Sequence, residues 1–214
     1  MGEKERFDIL NKEEIDKNVY YYLKNLFEQL KIEILGKHEG KLFDLMKRGL
    51  LEGWCWQTTE TAALFMPDDD MVYRGNLYFD EYDTYYHGFI VFNYEDKKYV
   101  FDPSLGFINS LDLYLDTFNV DIKGKVSAKE IKNYFINFVN NSPKKDYSNY
   151  SDKDMALINM VRELFFDPNR EPEIVIYGKE DPNDPMYRNG SGYKNINIEN
   201  NKVKSLTVHY YMDA

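Results

Sequence analysis

Between Gly53 and Gly106, one helix-forming stretch is followed by three strand-forming runs, and this order restricts the fold more than any other feature of the chain. Positions 55, 58, 59, 62, 63 and 66 hold Cys, Thr, Thr, Ala, Ala and Met, so a helix over 55–66 has one face of mostly small groups. Such a face can lie close against a sheet. Met66-Pro67-Asp68-Asp69-Asp70 ends the helix. Runs at 71–79, 85–94 and 97–102 are rich in aromatic and β-branched residues, and the short gaps between them predict an antiparallel meander. The expected class is α+β, a helix packed on an antiparallel sheet.

The last two runs permit a register argument. A hairpin closed at Glu95-Asp96 pairs Tyr94 with Lys97, Phe92 with Tyr99 and, farther out, His87 with Ser104. Asp102 then lies two residues from the direct partner of His87, on the same face. Diagonal neighbours of this kind are roughly 7–8 Å apart at the backbone, within reach of two polar side chains. A slip of one residue would send Asp102 to the other face. The register therefore predicts a His87–Asp102 hydrogen bond.

The same segment opens with Gly53-Trp54-Cys55-Trp56, which puts the only cysteine of the chain at a helix N-terminus. Cys55, His87 and Asp102 are the residue types a thiol acyl-transfer site needs. The thiolate is the nucleophile, and a helix N-terminus favours an anion. The imidazole takes and returns the proton, and the carboxylate holds the imidazole in the useful tautomer. Trp54, Trp56, Tyr85 and Tyr86 flank these residues and are candidates for the oxyanion site and the substrate groove.

Composition narrows the partners. Asp and Glu number 37 against 27 Lys and Arg, a net charge of −10 that repels phosphate and so argues against nucleic acid or an anionic membrane. A peptide or protein substrate is compatible with it. A hydrophobic share of 43% with 16% aromatics suits a packed core rather than disorder. At 214 residues the chain is expected to form one domain over 1–214. A single cysteine makes no internal disulfide, the charged start Met1-Gly2-Glu3-Lys4-Glu5-Arg6 is unlike a signal peptide, and no apolar run reaches eighteen residues. The expected location is the cytoplasm.

Outside the central segment, Ile15, Val19, Tyr22, Leu23, Leu26, Leu30 and Ile34 recur at helical spacing and predict a helix over 13–35, so that 1–40 is a helical N-terminal part. A turn or two of helix is expected over 41–51. Ser127-Ala128-Lys129-Glu130 is a capping box that opens a helix to about 139. A further helix over 151–166 and strands over 173–177 and 203–211 complete a helix-plus-strand extension from 126 to 214, whose strands are expected at sheet edges. Residues 178–195 read as a connection.

Gly53-Trp54-Cys55-Trp56, His87-Gly88-Phe89 and Tyr99-Val100-Phe101-Asp102-Pro103-Ser104 together resemble the core of the transglutaminase-like superfamily. The resemblance covers about residues 41–110. It implies a papain-like α+β fold with the nucleophile on a central helix, and acyl transfer at a peptide or glutamine amide to water or to an amine. Gly88-Phe89 stands where the family has Ala-Trp, and no tryptophan precedes Trp54 to complete the oxyanion site of the cross-linking members. Hydrolysis, by a cysteine protease or a deamidase, is therefore the leading expectation. The alternatives are an amine-transferring transglutaminase and a protein-binding module that keeps the fold without chemistry.

No cofactor and no metal are expected. Asp68-Asp69-Asp70 lacks the alternating ligands and the glycine of a calcium loop and reads as a solvated turn. His38 and His209 are distant from Cys55 in sequence. Asn189-Gly190-Ser191-Gly192 follows no strand-to-helix pattern that would cradle a phosphate. The aromatic runs Tyr20-Tyr21-Tyr22 and Tyr82 to Tyr86 read as core and groove lining.

Overall fold

The computed structural model describes residues 16–34, 38–78, 84–141 and 191–210. The expected helix over 151–166 and strand over 173–177 lie outside the described residues. Among the described residues the fold is α+β, with two sheets that are mostly antiparallel and helices packed on them.

The central meander stands as the alternation demands. Strands β3 (Met71–Tyr78), β4 (Thr84–Tyr94) and β5 (Lys97–Asp102) follow in order, and Tyr94 pairs with Lys97 and Phe92 with Tyr99. Glu95 and Asp96 both take positive φ, 47° and 63°, as a two-residue hairpin turn matched to strand twist requires. Strands β6 (Phe107–Ser110) and β7 (Asn119–Ser127) complete a five-stranded antiparallel sheet of order β6-β5-β4-β3-β7. Next to a register shift in the β3–β7 ladder, a Cβ on Gly75 would collide with the carbonyl of Asp121, so only glycine fits there.

Both faces of this sheet are covered. On one face Val72, Ile90, Phe92 and Phe101 join a core shared with the helices α1 (Lys17–Leu26), α2 (Leu42–Lys47), α3 (Cys55–Ala63) and α5 (Ala128–Asn141). Phe101 stacks on Phe27 at 5.1 Å and on Phe43 at 5.8 Å, which clamps β5 in place. On the other face Leu77, Phe89, Val91, Val100 and Phe107 meet Tyr114 and Phe118 of the α4 segment (Leu111–Thr117 and its C-cap). His87 and Asp102 share the pleat side of Phe89 and Val100, because side chains two apart in a strand face the same way.

The N-terminal region departs from expectation. Among the described residues of the helix expected over 13–35, only α1 is helical; Leu30–Ile34 is a strand, β1, buried at Leu30, Ile32 and Ile34. Leu26, Leu30 and Ile34 fit a spacing of four, but Leu30, Ile32 and Ile34 also fit a spacing of two, and pairing decides between them. β1 lies parallel to β9 (Lys202–Tyr210) and antiparallel to β2 (His38–Lys41). With β8 (Ser191–Glu199) they form a four-stranded sheet of order β2-β1-β9-β8. β9 is thus an interior strand rather than an edge, and β8 occupies the end of the stretch that had read as a connection. Its hairpin with β9 turns on Asn200 and Asn201, both at positive φ.

The capping box is formed: the Ser127 hydroxyl accepts from the Glu130 N–H at 3.2 Å while the Glu130 carboxylate accepts from the Ser127 N–H at 2.9 Å. In the acidic turn, Asp68 is exposed and pairs with Lys132 at 2.7 Å, but Asp70 is buried, and burial pushes its carboxyl up to about 6. No helix among the described residues is long and apolar enough to cross a membrane.

Candidate active site

Three elements deliver the three predicted residues. Cys55 is the first residue of α3, after Trp54 at the N-cap, and is partly exposed. α3 reaches β4 at Gly88, where a Cβ would stand 3.6 Å from the Trp56 ring and 3.8 Å from the Cys55 carbonyl oxygen. A methyl group would fit at those distances, so an alanine could also stand at this contact. The Thr59 hydroxyl donates to the Gly88 carbonyl at 3.0 Å in a buried bond and ties helix to strand beside the site.

His87 lies in β4 opposite Gly75 of β3, and Asp102 is the last residue of β5. Only 6% of His87 and none of Asp102 is exposed. The His87 Nε2 to Asp102 Oδ2 distance is 2.7 Å, the bond expected from the hairpin register. With Nε2 held by the carboxylate, Nδ1 is the ring nitrogen left free to face a thiol, and Cys55 lies close enough to His87 to favour its charged form. The sulfur also lies 3.9 Å from the Tyr86 carbonyl oxygen.

The carboxylate is fully hydrogen-bonded. Oδ2 accepts from His87 and from the Tyr114 hydroxyl at 2.9 Å; Oδ1 accepts from the Leu105 N–H at 3.0 Å, closing the turn that follows β5. Gly106, at φ 69°, completes that turn into β6. Burial alone would disfavour a charged imidazole. The Asp102 charge and hydrogen bond, with smaller contributions from Cys55, overcome it and push His87 up to about 10. The arrangement thus favours an imidazolium beside the sulfur, which is what a thiolate nucleophile requires.

The flanking aromatics divide. Trp56 is buried and its ring meets that of Tyr86 at 4.7 Å, while Tyr86 is 48% exposed. These two form an aromatic wall next to Cys55. Trp54 instead belongs to the core: it is 1% exposed and stacks on Tyr210 at 5.0 Å. That burial keeps its ring from any substrate surface beside Cys55. Tyr85 pairs with Leu77 through its backbone, and its side chain lies outside the described residues. Tyr114 was not anticipated, since nothing in a sequence pattern ties a tyrosine on a seven-residue helix to a carboxylate twelve positions earlier. Ser110, whose side chain accepts from the Leu113 N–H at 3.3 Å, was the legible start signal for that helix.

The Cys55 N–H lies in the first turn of α3, where the helix itself supplies no acceptor. Among the described residues no group of three or more His, Cys, Asp or Glu side chains is placed to hold a metal ion. Compared with protein-family models, with curated proteins and with solved structures, the chain matches none of them.

Proposed function

We propose that the protein is a thiol-dependent amide hydrolase of transglutaminase-like type with a papain-like arrangement of helix and sheet. The observation that carries this reading is the buried 2.7 Å contact between His87 Nε2 and Asp102 Oδ2, with the sulfur of partly exposed Cys55 3.9 Å from the carbonyl oxygen of Tyr86, the residue before His87. An ordinary core histidine has no need of a carboxylate hydrogen-bonded at both oxygens together with a thiol nearby.

In the proposed reaction the Cys55 sulfur attacks the carbonyl carbon of a peptide or glutamine amide. A C–S bond forms and the carbonyl electrons move to oxygen, beside the Cys55 N–H. The C–N bond then breaks, and the departing nitrogen takes the proton from the His87 imidazolium. Water, deprotonated by His87, attacks the thioester; the C–S bond breaks and the thiolate returns. Asp102 orients the ring and balances its charge at each stage. Water is the proposed acceptor because it needs no second binding site, whereas transfer to an amine needs both an amine pocket and exclusion of water. The exposed Tyr86 ring, backed by Trp56, offers a flat apolar surface for a substrate side chain next to the sulfur.

A panel of glutamine-bearing peptides tests the reaction. Chain cleavage marks a protease, ammonia release without cleavage a deamidase, and incorporation of an added amine a transglutaminase. The proposal predicts one of the first two, abolished by Cys55→Ala. Product formation that survives Cys55→Ala would refute the assignment.

A further inference from the structure

Asp102 faces two donors with one oxygen. His87 Nε2 lies 2.7 Å from Oδ2, and the Tyr114 hydroxyl lies 2.9 Å from the same atom. Tyr114 is wholly buried, and its ring is held by Phe89 at 4.8 Å, Phe107 at 5.0 Å and Phe118 at 4.8 Å. The phenyl ring is thus sufficient for packing, and the hydroxyl is the separable part. We propose that Tyr114 is a positioning residue of the site: its hydroxyl fixes the Asp102 carboxylate on His87 and draws off part of the charge that Oδ2 would otherwise give the imidazole. This rests on the catalytic reading of Cys55, His87 and Asp102.

The physical argument has two parts. A carboxylate oxygen that accepts a second strong hydrogen bond spreads its charge over two donors, and each bond weakens. The imidazolium is therefore less strongly held than it would be by a carboxylate bonded to His87 alone. The second part is orientation. Leu105 N–H holds Oδ1 at 3.0 Å while Tyr114 holds Oδ2, so the carboxylate plane is pinned at both oxygens before His87 is considered. The charged or titratable groups acting on His87 are Asp102 of β5 and Cys55 of α3, and the same two act on Tyr114. Burial and the Asp102 charge hold the phenol well above its ordinary range, so it remains a neutral donor throughout any practical titration.

The test uses histidine side-chain NMR in the Cys55→Ala protein, where the imidazole titrates without the thiol. Adding Tyr114→Phe should raise the His87 midpoint by about half to one pH unit while the melting temperature stays close to that of the parent. A midpoint unchanged within about 0.2 units, or lowered, would overturn the proposal. If the phenylalanine variant does not fold, site-specific 3,5-difluorotyrosine at position 114 supplies the same test with the opposite sign. Its more acidic hydroxyl is a stronger donor and should lower the midpoint, and a rise or no change would overturn the proposal. The titration needs no turnover, so its result stands apart from whether the wild-type protein hydrolyses any peptide.

Discussion

Replacing Asp102 by asparagine keeps the shape of the side chain and removes its charge, and the structure sets how large the effect should be. His87 is pushed up to about 10 in the folded protein against an ordinary 6.5, with burial opposing the charged ring and Asp102 the main cause in its favour. Without that charge, burial is left largely unopposed, and the His87 midpoint should fall to 6.5 or below. A fall of about three and a half units corresponds to something on the order of 5 kcal/mol between the two protonation states. The sign for stability follows from linkage. A group whose folded value is raised contributes stability that is fully present below about 6.5 and is lost as pH rises through about 10. Between those limits wild-type unfolding free energy should decline, by up to about 1.4 kcal/mol per pH unit for one proton. Urea unfolding at intervals from pH 6 to pH 10, taken as the difference between wild type and Asp102→Asn, isolates this group from other titrating residues. The difference should be largest near pH 6 and close to vanishing near pH 10. A difference that is flat across this window, or a wild-type His87 midpoint near 6.5 by NMR, would refute the coupling of His87 to Asp102.

Other substitutions probe the frame around the site. Gly88→Ala should leave stability within about 1 kcal/mol of wild type and preserve Cys55 labelling, because the added methyl meets its neighbours at ordinary contact distance; a loss of labelling would mean that the strand–helix approach needs glycine. Gly75→Ala should destabilise by about 1–3 kcal/mol in chemical denaturation, since its Cβ collides with the Asp121 carbonyl. Changing Glu95-Asp96 to Asn-Gly should raise the melting temperature by a few degrees, as both positions have positive φ and the present residues are poorly suited to it.

The parts of the fold that local rules govern were legible. The hairpin at Glu95-Asp96, the helix beginning at Cys55 and the Ser127–Glu130 cap each depend on residues close in sequence, and period and turn symmetry suffice for them. The His87–Asp102 contact was legible for the same reason, being fixed by a two-residue turn. Leu30–Ile34 was misread because its spacing satisfies helix and strand alike, and the deciding partner, Leu206–Tyr210, lies far along the chain. Between Asp102 and Ser127 the sequence carries no clear pattern. β6 has four residues and α4 seven, too short for periodicity, and β7 is fully buried only at Val126 and carries Gly124. Asn200-Asn201 is a local turn signal for the β8–β9 hairpin, since asparagine tolerates the positive φ that both residues take. Trp54 was placed at the groove because it adjoins the cysteine, but successive residues at a helix start point in different directions, and its indole packs on Tyr210 instead.

The central claim is that Cys55 is a nucleophile activated by His87. Intact-mass analysis of the folded protein after exposure to a peptide-based electrophile at neutral pH tests it most directly. The account predicts one adduct, located at Cys55, forming at least about a hundredfold faster in wild type than in His87→Ala, the lower bound of what a positioned base contributes. Labelling that proceeds at the same rate in both proteins, or that appears only after denaturation, would contradict it.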